Sequence, residues 1–130
     1  MLLSNADILN KIDSLHPFLD RNDMIGYCAA RNSRRLMDAS LEYSKKQQEI
    51  MNLYGDNELD IDGNPTGRIV IQIGSENFHK FKAAITPYSI LEHEVTIMKI
   101  PYSEVIGKLT GSEILEIDWM LEDLDSPADE

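Results

Sequence analysis

Residues 23–55 constrain this chain more than any other stretch. They contain no proline, open on Asp23 and close on Gly55. Asp23 is an N-cap residue and Gly55 a C-terminal stop, so the stretch predicts one long helix. Its roughly 31 helical residues would span about 46 Å at ~1.5 Å each. In a chain of 130 residues, everything else must then pack along it. Ile25, Ala29, Leu36, Ala39, Tyr43, Ile50 and Leu53 recur in steps of three, four or seven, with Asn32 and Lys46 on the same stripe. That stripe predicts one face against the core. The sharper alternative is a homodimer seam, in which a buried polar residue fixes register. Cys28, Met37 and Leu41 widen the apolar surface, and Cys28 beside Ala29 and Ala30 reads as a buried structural thiol.

Shorter elements surround it. Ser4 and Asp7 form a capping-box pattern, and Ile8, Ile12 and Leu15 follow on one helical face until His16-Pro17. The short link over residues 17–22 predicts a helical hairpin with the long helix. Residues 55–67 (GDNELDIDGNPTG) are a polar, turn-rich loop. Glu58, Asp60, Asp62 and Gly63 imitate the start of a calcium loop, but Ile69 stands where the bidentate Glu belongs, so no calcium site is assigned. RIVIQI at 68–73 is β-branched between two glycines and predicts a strand. Ser75 caps a helix through about Ile85, with Phe78, Phe81 and Ile85 on one face and Pro87 ending it. EVTIMKI at 94–100 predicts a second strand, stopped by Pro101. His79 and His93 are lone histidines without spaced partners.

The last helix opens at Thr110 or Ser112. Ile114, Ile117, Leu121 and Leu124 form its core stripe, while Leu115 and Trp119 point the other way. Two apolar faces require two neighbours. Either the helix is wedged between layers, or Leu115 and Trp119 anchor another chain. Acidic residues surround that pair. Leu115, Glu116, Asp118, Trp119, Glu122 and Asp123 are therefore the candidate partner-binding residues.

Net charge is −11. A surface of that sign repels nucleic acid and anionic membranes and favours a basic protein partner. The charge is uneven. The long helix has five basic residues against three acidic ones, whereas residues 104–130 have nine acidic residues and only Lys108. The two are expected to face each other in part. A single cysteine excludes a disulfide within the chain. The first residues lack a basic, apolar leader, and no run approaches the ~18 apolar residues of a membrane span. A cytoplasmic location is expected. No HExxH, CxxC, GxSxG or P-loop pattern occurs. No catalytic, cofactor-binding or metal residue is assigned, and the chain is not expected to be an enzyme.

The order of motifs resembles a family of small, functionally unassigned phage and prophage proteins of Gram-positive bacteria. The likeness runs over residues 12–123. It is carried by ARNSRRLMDASLEYSKKQQEIMNLYG, DIDGNP, FHKFKAAI, EHEVTIMKIPYSEV and LTGSEILEIDWMLED, in that order. The chain departs from it around residues 57–61 and in the well-formed RIVIQI. The resemblance implies a phage setting and brings no catalytic residues.

The expected fold is α+β in a single domain over residues 1–125, with an acidic tail at 126–130. It comprises an N-terminal helical hairpin with one long helix, a small two-stranded sheet with an intervening helix, and a C-terminal acidic amphipathic helix. The expected function is a phage-encoded, non-enzymatic module that binds a host or phage protein, foremost an acidic inhibitor of a host protein's nucleic-acid groove. The alternatives are a head or tail assembly factor or chaperone, and a structural homodimer.

Overall fold

The computed structural model describes residues 1–122. Leu124 and the tail at 126–130 lie outside them. Strand β1 (Leu2–Ser4) leads into helix α1 (Asn5–Leu15). Ser4 closes the expected capping box with Asp7, and α1 stops where Pro17 follows. Helix α2 (Met24–Ala39) starts at Asp23, whose carboxylate accepts from the Gly26 amide. The Arg21 guanidinium, 2.7 Å away, lowers the Asp23 pKa below the ordinary carboxylate value. Gly26 is required here by space, because a Cβ would collide with the Arg21 carbonyl.

The expected single long helix is two helices. Ser40 leaves helical geometry at φ −100° and ψ 7°, and α3 (Leu41–Tyr54) follows. The Ser40 hydroxyl bonds back to the Met37 carbonyl at 3.3 Å, the serine habit that loosens the helical ladder. Ser40 is itself buried at the joint. The kink serves the packing. Ile25, Cys28, Ala29 and Leu36 of α2 enter a first core with α1, Val95, Ile100, Val105, Ile117, Met120 and Leu121. Tyr43 and Ile50 of α3 enter a second core with Phe81 and Ile85. Leu53, expected on the stripe, is exposed. Burial raises the Cys28 thiol pKa, consistent with a structural role.

The α+β class holds, and the sheet is distributed differently from expectation. RIVIQI contributes to β3 (Pro65–Val70), whose partner is β2 (Asp56–Leu59) in a hairpin with Asp56 opposite Val70. The turn between them uses Gly63 at φ 81°. There the Asp60 carboxylate accepts from the Asp62 and Asn64 amides, both at 2.9 Å. Gly55 ends α3 with φ −89°, not in the left-handed region. Its missing side chain leaves room for Ile69.

The second expected strand is only β4 (Glu92–Glu94), antiparallel to β1 with Leu3 opposite His93. Val95 still exchanges backbone bonds with Met1, but residues 96–99 pair with no strand, and a side chain takes the strand's place. Asn32 Oδ1 accepts from the Met98 amide at 2.8 Å, and Asn32 Nδ2 donates to the Met98 carbonyl at 3.0 Å. A fully buried asparagine thus satisfies both backbone groups, as a neighbouring strand would. The polar residue read as a possible dimer register pin is used inside the chain. Arg35 adds a bond from Nη1 to the Thr96 carbonyl at 3.2 Å.

Helix α4 (Glu76–Ser89) begins at Ser75 as expected and runs past Pro87. A proline so near the helix end removes one hydrogen bond without stopping the last turn. Helix α5 (Gly111–Glu116) is much shorter than expected.

Candidate partner-binding surface

Thr110 and Glu113 start α5 with a reciprocal capping box: Thr110 Oγ1 accepts from the Glu113 amide, and Glu113 Oε1 accepts from the Thr110 amide at 2.9 Å. The helix cannot continue, because Ile117 turns to φ −112° and ψ 19° and a 3₁₀ turn follows over Asp118–Met120. Leu121 then forms a parallel bridge to Ile100. The Ile100 amide donates to the Met120 carbonyl at 2.9 Å, and the Glu122 amide donates to the Ile100 carbonyl at 2.8 Å. The bend carries the chain from the helix to the Ile100 bridge. Ile117, Met120 and Leu121 all enter the first core through this bend, and Leu121 reaches Ile100 there.

The two residues expected to act as a pair differ in their surroundings. Leu115 is 77% exposed. Trp119 instead packs partly buried on the first core. Lys11 Nζ sits 4.9 Å from its ring centroid, and Lys99 Nζ donates to its carbonyl at 2.7 Å. The i, i+4 relation that would place them together applies only within one continuous helix. Glu116, Asp118 and Glu122 of the same segment are exposed, and among the described residues they form no ion pair. Asp123 lies outside the described residues. The segment thus presents one strongly exposed leucine and three exposed carboxylates without ion pairs among the described residues, while Trp119 is half-buried.

The expected facing of the long helix's arginines with these acids does not occur among the described residues. Arg34 pairs with Asp38 of its own helix at 3.7 Å, and Arg35 goes to Thr96. Also among the described residues, no three His, Cys, Asp or Glu side chains cluster closely enough to hold a metal, and no helix is long and apolar enough to cross a membrane.

A second place with convergent polar groups lies at the start of α1. Asn5, almost fully buried at the start of α1, donates from Nδ2 to the Tyr88 carbonyl at 2.8 Å. Its Oδ1 lies 2.9 Å from His93 Nε2. The histidine read as lone thus has a partner 88 residues away. No spacing within the sequence could show it.

Comparison with protein-family models, with characterised proteins and with solved structures finds no match for this chain.

Proposed function

We propose that the chain is a non-enzymatic, phage- or prophage-encoded cytoplasmic protein that inhibits a host protein by occupying a basic nucleic-acid groove. The observation that carries this reading is Leu115, 77% exposed in a segment whose Glu116, Asp118 and Glu122 are also exposed, in a chain of net charge −11. Unpaired carboxylates speed encounter with a basic surface, and an apolar anchor among them slows release. The phage setting rests on the order of motifs from the long helical stretch to LTGSEILEIDWMLED.

Capture of a nucleic-acid-binding protein from host lysate tests it. Capture is expected to weaken with salt, to be competed by added DNA or RNA, and to be lost in Leu115→Asp while the melting temperature stays unchanged. Capture that is indifferent to both nucleic acid and Leu115 overturns the reading. Trp119→Ala serves as the contrast. It is expected to cost about 2–3 kcal/mol of stability, because its ring packs on the first core.

A second reading has its own support. The outer face of α2 exposes Tyr27, Arg31, Arg34 and Met37. That basic and apolar face complements the acidic surface at Leu115 of another copy, the arrangement of a self-assembling morphogenesis factor or structural dimer. Sedimentation showing association that is lost in Arg31→Glu would favour it.

A further inference from the structure

A cavity of about 300 Å³ opens between the start of α1, helix α3 and the segment joining α4 to β4. That volume is at the small end for a ligand site. Its floor is held by the hydrogen bonds of Asn5. The Tyr88 carbonyl can only accept, so Asn5 Nδ2 is the donor there and Oδ1 is left as an acceptor. His93 Nε2 must then carry hydrogen toward Oδ1, and Nδ1 is the ring's remaining acceptor in the neutral imidazole. The Asn5 amide also donates to the Leu91 carbonyl at 3.0 Å, so the whole turn from Tyr88 to His93 is tied to α1.

The opposite wall is α3. Tyr43 lines the cavity and is only 8% exposed, yet its hydroxyl has no hydrogen-bond partner among the described residues. Burial raises its pKa, which keeps the phenol protonated and able to donate. Lys46 Nζ stands 5.2 Å from the Tyr88 ring centroid. Glu42 also lines the cavity, one helical turn before Lys46 and strongly exposed. These two charges do not pair with each other. Glu42 meets Lys45 at 3.8 Å and Lys46 meets Glu49 at 3.5 Å, both exposed contacts that a ligand can displace at little cost.

The lining therefore offers one cation and one anion. It also offers an unused phenol donor, an unused imidazole acceptor, and apolar surface from Tyr43, Tyr88 and Leu91. A simple anion would leave Glu42 and His93 without function, and a simple cation would leave Lys46 and Tyr43 without function. We propose that this cavity binds a small zwitterion, an α-amino acid with an apolar side chain. Its carboxylate lies at Lys46 and Tyr43, its ammonium at Glu42 and His93, and its side chain on Tyr88 and Leu91. The site is separate from the acidic surface at Leu115 and stands or falls independently of it.

The test is titration of the full chain with L-leucine, followed by amide chemical shifts. Two half-ligands run beside it: 4-methylpentanoate, which lacks the ammonium, and 3-methylbutylamine, which lacks the carboxylate. L-leucine is expected to shift the amides of Asn5, Tyr43, Lys46 and His93, with a dissociation constant of about 1 mM or tighter. Each half-ligand is expected to bind at least about tenfold more weakly, the loss of one charge-assisted contact. Tyr43→Phe keeps the buried ring and removes only the hydroxyl, while Lys46→Met changes a partly exposed side chain. Both are expected to keep the native spectrum elsewhere and to weaken L-leucine at least about tenfold. L-leucine that leaves the lining amides unmoved overturns the proposal. So does a half-ligand that binds as tightly as L-leucine, or binding indifferent to both variants.

Discussion

Leu36 and Ile25 in the first core are fully enclosed, whereas Tyr43, Ile50, Phe81 and Ile85 in the second each keep 5–9% of their surface. The two cores are fed by the two halves of one kinked helical stretch, so local helix quality does not explain the difference. The number of covering layers does. Around α2 lie α1, the segment at 95–100 and the bent C-terminal turn, and these meet in one cluster of fourteen buried apolar side chains. Around α3 lies mainly α4, with Leu9 of α1 and Ile71 from the end of the hairpin at its edge, and only four side chains are buried. A helix covered on several sides buries side chains completely; a two-helix contact leaves its rim wet. The deep core fixes the fold, and the shallow one leaves room for a cavity at its edge.

Truncation should expose that contrast most strongly. Leu36→Ala is expected to cost about 3–4 kcal/mol, because its fully enclosed site cannot collapse around the lost atoms. Ile50→Ala, near the solvent-lapped edge, is expected to cost about 2 kcal/mol. Denaturant midpoints measure both, and equal costs would break the distinction between deep and shallow cores.

Asn32 gives the next effect. Asn32→Ala leaves the Met98 amide and carbonyl without their partners, at an expected cost of about 2–4 kcal/mol. Hydrogen exchange sharpens the prediction: the Met98 amide should lose protection while α3 and α4 amides keep theirs. Loss of protection throughout the chain would mean that the two cores unfold as one unit.

The smallest effect is one of pH and belongs to the second core. The unfolded phenol titrates at 10.0, and burial raises the folded-state value of Tyr43. The folded state then holds its proton where the unfolded state has lost it. The stabilisation is complete below pH 10.0 and falls as pH rises through the folded value. Unfolding of wild type and Tyr43→Phe between about pH 8 and about pH 11 is expected to show an alkaline loss in wild type that the variant reduces.

Much of this architecture was legible from short-range signals. The caps at Ser4, Asp23, Ser75 and Thr110 lie within three residues of the groups they satisfy, and the structure uses each of them. Asp62-Gly63-Asn64-Pro65 turns the chain as composition predicts, and Ile25, Ala29, Asn32, Leu36, Tyr43 and Ile50 are buried as their spacing predicts. The candidate surface was legible only in part. Its acidity and apolar Leu115 could be read directly, but the packing of Trp119 on the first core could not. That depended on whether Met120 and Leu121 would leave the helix to meet Ile100.

The sequence by itself therefore determined where α1, α2, α4 and α5 begin, where the hairpin turns, which helical stripe is apolar and where negative charge accumulates. Each of these is settled by residues a few positions apart. Tertiary structure decided the kink at Ser40, the split of one stripe between two cores, the clamping of Met98 by Asn32 and the placing of His93 beside Asn5. Those last two contacts join residues 66 and 88 positions apart. A side chain's local preference cannot select such a partner. The choice is made only when the core closes and every buried polar group must find one.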